Sequence, residues 1–241
     1  MNNENNYKKY IAKKIRNKNY INTYNLLSIK KRIVVKISKR KELLENDNNT
    51  SKKLEELKCV NFAKYSGFFT NDINKPLPKY FCKNNGTENY FLFMEYYDFG
   101  SILNYIPKSL NEIISILNQV IASATLAFEH FGFIHGDLHP GNILLKKTKN
   151  DFIKYKFTDK DLKIKTNGIQ IVMFDFDRSN FSANFAMFIS ELSLFIDYYE
   201  MYFIEKNIFD KNTIIVTPFA QLKKEFYKII NITQLKEFIG N

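Results

Sequence analysis

The chain has 241 residues, of which 45% are hydrophobic, and a formal net charge of +11. With 8 glycines and 5 prolines, the composition excludes fibrous and disordered classes and allows one sizeable core or two small lobes. The 36 Lys and Arg residues are scattered without the arginine and aromatic interleaving of a nucleic-acid platform, so no specific nucleic-acid motif is predicted.

The cysteines and the apolar runs indicate the compartment. The 2 cysteines, Cys59 and Cys82, have no CxxC spacing, which favours reduced thiols over a disulfide framework. The first ten residues have no apolar core, so no secretory signal is predicted. Residues 185–204 are the most apolar long run, but acidic residues interrupt it, which predicts a buried helix and no membrane span. An intracellular location is therefore expected.

Strands dominate the predicted elements of the first hundred residues. Short apolar stretches alternate with Lys and Asn over 10–38, and the β-branched run "KRIVVKIS" reads as a strand. Residues 39–58 predict one or two exposed helices, interrupted at "NDNNTS". The segment "NYFLFMEYY" predicts a buried strand that leads into a turn.

Helices dominate the remainder. Residues 110–131 have helical periodicity and carry no charge from 113 to 128, which predicts a core helix ending at Gly132. A polar stretch over 146–168 precedes "IQIVMFDFD", a second buried strand that ends in acids. Two or three helices complete the chain. Strands followed by helices predict an α+β fold with segregated lobes.

Four polar residues interrupt or end these apolar strands: Lys36, Asp137, Asn142 and Asp175. An unpaired charge in such surroundings would cost several kcal/mol, so the set makes sense if it meets a charged ligand. A carboxylate and an amide oxygen can hold Mg²⁺, a second carboxylate can receive a hydroxyl proton, and a lysine can bind phosphate oxygens. These are the components of a phosphoryl-transfer site.

The motifs around these residues resemble those of the protein-kinase-like fold. The segment "HGDLHPGN" is similar to the catalytic loop of that fold, which implies that Asp137 is the catalytic base and Asn142 a Mg²⁺ ligand. "FDFD" resembles the strand-end motif whose first aspartate, here Asp175, chelates Mg²⁺. "VVKI" resembles the strand of the phosphate-binding lysine, which implies that role for Lys36.

The same resemblance implies further ATP contacts. The lysine is normally held by a helix glutamate about nineteen positions on, which points to Glu55, with Glu56 as the alternative. "FLFMEYYDFGSIL" resembles the hinge strand, with Met94 at the gatekeeper position and Glu95 to Tyr97 facing the adenine.

The phosphate loop departs from the family pattern because no glycine occurs before Gly67. The best register is "NKNYINTY", with Asn17, Asn19 and Asn22 in the glycine positions. Asparagine tolerates the left-handed region better than other residues that have a Cβ, so the turn can survive. A side chain would nevertheless occupy space that the phosphates normally approach.

A haspin-like branch is the nearer resemblance. His139 occupies a position where most protein kinases have lysine, and the polar insertion before "IVMFDFD" is similar to that branch. Gly136 replaces the arginine that normally meets an activation-loop phosphate, which implies activity without such phosphorylation. Asp177 replaces the usual glycine, and no Ala-Pro-Glu motif follows. Loops of the type HGDLHPGN also occur in aminoglycoside and lipopolysaccharide-sugar kinases.

We therefore expect a two-lobed kinase-like fold, with a strand-rich small lobe over 7–94 and a reduced helical lobe over 95–241. The expected cofactors are ATP and Mg²⁺, and the expected reaction is phosphoryl transfer to Ser or Thr hydroxyls of protein substrates. A small-molecule or sugar kinase and a pseudokinase binding module are the alternatives. We expect a monomer. The composition would suit a large DNA virus or a reduced parasite, and a viral protein would act in the host cytoplasm or nucleus.

Overall fold

The computed structural model describes five stretches of the chain, residues 11–18, 21–27, 32–70, 90–205 and 216–240. They divide into two compact units. The first unit contains the described residues up to Lys53 and those from Ala63 to Tyr96. The second contains Leu54–Phe62 and the described residues from Tyr97 onward.

The strands of the first unit are β1 Ile11–Lys18, β2 Ile21–Leu27, β3 Arg32–Ser38, β4 Tyr65–Thr70 and β5 Tyr90–Glu95. They form an antiparallel sheet of order β1-β2-β3-β5-β4. The central strand β3 pairs with β2 on one side and with β5 on the other, and its β-branched residues Val34, Val35 and Ile37 are buried. The strand predicted from "KRIVVKIS" is confirmed.

Helix α1, Lys41–Glu55, follows β3 after two residues and runs without a break. The predicted interruption at "NDNNTS" is wrong because tertiary contacts override the weak helix propensity of these residues. Asp47, Thr50 and Ser51 are buried, and the Ser51 hydroxyl donates to the Ala63 carbonyl at 2.6 Å. The polar residues of α1 therefore face the inside of the first unit.

The second unit is organised around helix α2, Leu110–Phe131. Its first turn is capped by Ser109, whose hydroxyl accepts from the Glu112 N–H at 3.2 Å, and it ends at Gly132 in the left-handed conformation, as predicted. Within the described residues, α2 is long and apolar enough to cross a membrane by length and composition, but 78% of its apolar window is buried inside the protein. It serves here as the core helix.

Three short strand pairs surround α2. One is a hairpin of β8 Phe152–Lys156 and β9 Asp161–Lys165, which lies within the polar stretch before the second predicted strand. Ile153 and Tyr155 are buried on one face of this hairpin, and lysines are exposed on the other. The other pairs are β6 Phe133–Ile134 with β11 Asn180–Phe181 and β7 Ile143–Lys147 with β10 Ile169–Met173.

A buried amide fixes the segment Leu54–Phe62 within this unit. The Asn61 side chain donates to the Ile171 carbonyl at 2.9 Å and accepts from the Tyr155 hydroxyl at 2.8 Å. The Met173 N–H donates to the Asn61 carbonyl at 2.7 Å. These bonds join the segment to β10. They also give the buried polar groups of Asn61 the hydrogen-bond partners that buried groups need.

Three helices follow in the described residues: α3 Phe185–Glu205, α4 Val216–Phe226 and α5 Ile232–Gly240. The prediction that residues 185–204 form a helix is confirmed. The helix is only half buried, because one of its faces exposes large apolar side chains.

Lys236 of α5 joins three elements of the second unit. Its ammonium group lies 2.8 Å from the Glu129 carboxylate of α2 and 2.5 Å from the Asp159 carboxylate of the β8–β9 turn, and its side chain is buried. Burial alone would lower the pKa of Lys236, but the hydrogen bonds to Asp159 and Glu129 more than offset this effect and raise it. Lys236 is therefore charged in the folded protein.

We predict that Lys236→Met lowers the free energy of unfolding by about 2 to 3 kcal/mol, because it leaves the Glu129 carboxylate without its buried partner while Asp159 is partly solvated. Lys228→Met is the matched control, since its ion pair with Glu225 is exposed, and it should change the value by less than about 0.5 kcal/mol. Urea denaturation measures both. Equal losses in the two variants would contradict the prediction.

The loss should also depend on pH. Burial alone would raise the pKa of Glu129, but hydrogen bonds from Lys236 and Thr158 lower it below its ordinary value of 4.5. A carboxyl group with a lowered folded pKa stabilises the fold above its unfolded pKa, and this contribution is lost as the pH falls through the folded value. The difference in unfolding free energy between the wild type and Lys236→Met should have its full value at neutral pH and decrease below pH 4.5.

Candidate active site

A loop of eight residues, His135 to Asn142, connects β6 to β7 and contains the predicted catalytic aspartate. We call it the catalytic loop. Its last three residues form a 3-10 turn, in which the Asn142 N–H donates to the His139 carbonyl at 2.8 Å. The Gly141 N–H donates to His139 Nδ1 at 3.0 Å. The turn reverses the chain so that Asn142 enters β7 directly.

Asn142 is fully buried, and its amide is only partly satisfied. Its Nδ2 donates to the Asp137 carbonyl at 2.9 Å, which turns Oδ1 to the other side. Oδ1 has no hydrogen-bond partner among the described residues. A buried acceptor without a partner costs about 1 to 3 kcal/mol. An amide oxygen of this kind is suited to a hard divalent cation.

Asp175 lies beside Asn142 because the Phe174 N–H donates to the Asn142 carbonyl at 3.1 Å. It is buried and is the second residue after β10, in the left-handed region with φ 71° and ψ 57°. This conformation costs a residue with a Cβ about 1 to 2 kcal/mol. Strain of this size at the end of a strand is typical of functional sites.

The next residue, Phe176, anchors this strained turn. It is fully buried in an aromatic cluster, with ring centroids 6.1 Å from Phe133, 5.6 Å from His135 and 6.5 Å from Phe62. The cluster therefore places hydrophobic packing directly behind Asp175. Such packing can offset the conformational cost of the left-handed residue.

Asn142 and Asp175 form a two-residue set that fits Mg²⁺. Within the described parts of the chain, no group of three or more His, Cys, Asp or Glu residues could hold a metal ion. An oxygen-ligated Mg²⁺ usually needs only one or two protein ligands, since phosphate oxygens and water complete its octahedron. The buried carboxylate and the unsatisfied amide oxygen meet that requirement.

Asp137 projects from the middle of the catalytic loop and is partly exposed. The Arg178 guanidinium lies 3.8 Å away, and His139 Nε2 lies 4.0 Å away. Because His139 Nδ1 accepts from Gly141, a neutral His139 must carry its proton on Nε2, which faces the Asp137 carboxylate. The carboxylate thus lies between two hydrogen-bond donors while remaining accessible to an acceptor hydroxyl.

His135 holds the loop in place. Its Nε2 is 2.9 Å from the Phe174 carbonyl, so this nitrogen carries a proton and ties the catalytic loop to the end of β10. His135 is buried, and its Nδ1 has no hydrogen-bond partner among the described residues. The contact supports a structural role for this histidine.

Glu191 of α3 is a site residue that no sequence motif indicates. Its carboxylate accepts the His135 N–H at 3.0 Å and the Gly136 N–H at 2.6 Å. It therefore attaches the backbone immediately before Asp137 to a long helix. An acid inside the apolar run 185–204 was the available signal, since such an acid needs partners.

Gly136 is required by a close approach of two backbone segments. Its φ is 77°, and a Cβ added to it would lie 2.2 Å from the Arg178 carbonyl oxygen. No side chain fits at this separation. At this position, where the family has arginine, steric exclusion by the Arg178 backbone explains why this chain has glycine.

In the first unit, Lys36 and Asp47 form a buried ion pair. The Lys36 ammonium contacts Asp47 Oδ2, and the Tyr65 hydroxyl donates to Asp47 Oδ1 at 2.7 Å. Lys36 and Asp47 are 2% and 0% exposed. The carboxylate thus has both a charged and a neutral donor, which a buried charge needs.

This pair corrects the predicted partner of Lys36. Glu55 and Glu56 are exposed at the end of α1, whereas Asp47 lies on the buried face near the middle of the helix. The link between β3 and α1 is only two residues long, so the acid that reaches Lys36 comes eight positions earlier than the counted one. At a rise of 1.5 Å per residue, Glu55 lies about 12 Å further along the helix.

The other predicted nucleotide contacts lie at two places in the fold. Met94 is buried near the end of β5 opposite Val34, Glu95 is exposed, and Tyr97 is buried at the start of the second unit. Their approach to adenine stays a prediction. Of the three phosphate-loop asparagines, Asn17 and Asn22 face each other in the β1–β2 hairpin, and Asn19 lies outside the described residues.

The order of these parts along the chain is that of the protein-kinase-like superfamily: a lysine strand, an acidic helix, a catalytic loop and an acidic strand end. The predicted superfamily and its α+β fold are confirmed. Residues 33–188 match the family model of the ABC1 atypical kinase-like domain, and the chain belongs to this family. Phosphoryl transfer is the chemistry that the family and the curated relatives support.

Those relatives include haspin kinases. The chain is 39% identical to the serine/threonine-protein kinase haspin of Bos taurus over 93 residues, which cover 37% of this chain and 12% of that protein. It is 32% identical to a serine/threonine-protein kinase haspin homolog of Arabidopsis thaliana over 108 residues, which cover 45% of this chain and 17% of that protein. An uncharacterized Caenorhabditis elegans protein is 26% identical over 121 residues, which cover 50% of this chain and 40% of that protein. The chain thus matches less than half the length of each of these relatives.

Gly136→Ala should destabilise the protein because of the close approach to Arg178. Gly168→Ala is the matched control, since its φ is 82° but nothing lies within 4 Å of the place where its Cβ would be added. The control should lose about 1 kcal/mol of unfolding free energy, the left-handed penalty alone. Gly136→Ala should lose at least about 2 kcal/mol more, since packed backbone must move. Equal losses by chemical denaturation would refute the steric argument.

Asp47→Asn should destabilise the first unit by about 3 kcal/mol, because removing one partner of a buried ion pair leaves an uncompensated charge. Glu55→Gln, at the position predicted from family spacing, should change the stability by less than about 0.5 kcal/mol. Thermal and urea unfolding measure both variants. A larger loss for Glu55→Gln than for Asp47→Asn would restore Glu55 as the partner of Lys36.

Proposed function

We propose that this protein transfers the γ-phosphoryl group of Mg²⁺-ATP to serine or threonine hydroxyls of protein substrates. The observation that carries the proposal is the buried, unsatisfied Oδ1 of Asn142 beside Asp175 and on the same loop as Asp137. A cation ligand pair next to an accessible carboxylate is the arrangement that phosphoryl transfer needs.

Each residue has a defined task in this proposal. Asn142 and Asp175 would hold Mg²⁺, which neutralises negative charge on the phosphates when it is bound. Asp137 orients the acceptor hydroxyl and accepts its proton late, because the transition state is loose. Lys36, braced by Asp47, would bind phosphate oxygens. Glu191 keeps the backbone before Asp137 in place.

Two considerations support a protein acceptor. The bovine and Arabidopsis relatives are named serine/threonine-protein kinases or their homologs. The catalytic loop shares with the haspin branch a histidine, His139, where most protein kinases have lysine. In this proposal the protein acts as an intracellular monomer, and the spacing of its cysteines supports that compartment.

A pseudokinase is the second candidate, and the glycine-free β1–β2 hairpin favours it. In the register given above, Asn17, Asn19 and Asn22 occupy the positions where the family has glycines. Against it, the buried Oδ1 of Asn142 has no hydrogen-bond partner among the described residues, and a buried polar atom is costly unless a ligand compensates it. A protein that only binds other proteins would gain nothing from this arrangement.

Transfer of labelled γ-phosphate from Mg²⁺-ATP to histones, casein or the protein itself tests the proposal. Asp137→Asn and Asp175→Ala should each lower the transfer rate by at least about 100-fold, the usual contribution of a catalytic base or a metal ligand. Asp151→Asn, which changes an exposed aspartate between β7 and β8, is the matched control and should keep the full rate.

The stability of the protein with nucleotide separates the alternatives. Transfer that is lost in both variants establishes a protein kinase. A rise in melting temperature with Mg²⁺-ATP but no label on protein points to a small-molecule acceptor. Neither label nor a shift in melting temperature supports the pseudokinase, since a ligand that binds the native state must stabilise it.

A further inference from the structure

We propose that the exposed apolar face of α3 is the docking groove for the acceptor polypeptide and that it selects a large apolar side chain three to five residues from the phosphorylated hydroxyl. This inference rests on the proposed function, because it names the substrate feature that the same site would read. The groove belongs entirely to the second unit.

A groove of about 910 Å³ begins at the catalytic loop and extends along α3. Its lining includes Gly136 and Asp137. Large apolar side chains that are 43% to 53% exposed form a further part of the wall: Leu103, Met187, Leu194, Tyr198 and Met201. Contiguous apolar exposure of this kind is typical of binding surfaces.

The helix geometry makes this wall continuous with the catalytic loop. Met187, Leu194, Tyr198 and Met201 recur at spacings of three, four or seven residues, which places them on one face of α3. Glu191 lies on the same face, and its carboxylate binds the backbone N–H groups of the catalytic loop. A substrate that presents its hydroxyl to Asp137 would therefore also contact this face.

The chemistry of the lining favours a polypeptide over a small polar acceptor. None of the described residues that line the groove is lysine or arginine, which a phosphorylated metabolite would need. The lining carboxylates are Asp137, assigned to the acceptor hydroxyl, and Glu191, which binds the loop. A sugar or an aminoglycoside would need a denser set of polar groups.

The separation between the acceptor hydroxyl and the apolar side chain of the substrate follows from the dimensions of a helix and an extended chain. Tyr198 and Met201 lie seven and ten positions beyond Glu191, which corresponds to about 10 and 15 Å along the helix axis. An extended peptide advances about 3.3 Å per residue. An apolar side chain about three to five residues from the acceptor would therefore reach these side chains.

Peptide binding without nucleotide tests the groove independently of catalysis. Thirteen-residue fluorescent peptides with one central serine would carry a single leucine at each position in turn, and anisotropy would give their affinities. We expect the tightest binding with leucine three to five residues from the serine. Leu194→Ser/Met201→Ser should weaken this binding at least about 10-fold, since apolar burial is lost at two sites.

The control is Ile106→Ser/Ile230→Ser, which removes two exposed apolar side chains outside the groove and should leave the affinities unchanged. The Asp137→Asn variant should still bind the preferred peptides, because docking does not use the proton acceptor. Phosphorylation of the same peptides by the wild-type protein and the groove variant should show a raised KM and an unchanged kcat in the variant.

The outcomes separate the groove from the proposed function. Peptides that bind in this register but are never phosphorylated would support docking and overturn the kinase proposal. Phosphorylation with no apolar preference, or equal effects in both double variants, would overturn the groove alone. A dimer in light scattering that Leu194→Ser/Met201→Ser converts to monomer would assign the face to a second copy and overturn the proposal.

Discussion

The carboxylate of Glu191 is the contact on which the candidate site depends. It accepts the N–H groups of two successive residues, His135 and Gly136, directly before the predicted base. Two successive N–H groups that point the same way cannot both be satisfied by a neighbouring strand, whose partners alternate. Without Glu191 both donors would lose their acceptor. The position of Asp137 is therefore set by a helix residue that follows it by more than fifty positions.

The same contact explains why the chain needs a glycine at position 136. Drawing the loop toward α3 brings its backbone against the Arg178 carbonyl, where no Cβ fits. Strands β6 and β11 pair across this point, so the contact cannot be relieved by a small shift of one segment. The left-handed Asp175 and the buried Phe176 lie on the same connection. Strain and burial thus occur beside the predicted site carboxylates.

The placement of residues in the fold was predictable where it depends on local spacing. Asp137, Asn142 and Asp175 lie at the ends of short apolar strands, and the structure brings Asn142 and Asp175 together through the adjacent β7 and β10. The core helix was also predictable, because its periodicity, its uncharged run and Gly132 are all local signals. The β8–β9 hairpin was missed although Ile153 and Tyr155 alternate with exposed residues, a pattern that favours a strand.

Long-range geometry decided the residues that the sequence could not assign. The partner of Lys36 depends on the length of the β3–α1 link and on which helix face is buried, and family spacing therefore selected Glu55 instead of Asp47. Glu191 depends on how α3 packs against a loop far earlier in the chain. In both cases tertiary packing brings an acidic side chain, Asp47 or Glu191, next to its hydrogen-bond donors. Neither partner is encoded within a window of neighbouring residues.

The buried polar groups bear on whether the site is used. Asn142 keeps an acceptor oxygen out of water, and Lys36 keeps a charge there, although an apolar residue at either position would be easier to bury. A fold selected only for stability would replace them, because well-packed hydrophobic residues are often neutral or stabilising at such positions. The exposed apolar face of α3 is the opposite anomaly, since it leaves hydrophobic surface in water. Asn142 and the apolar face of α3 lie at the catalytic loop, and Lys36 belongs to the predicted phosphate-binding pair. Features that reduce stability at these places are expected of residues that bind ligands.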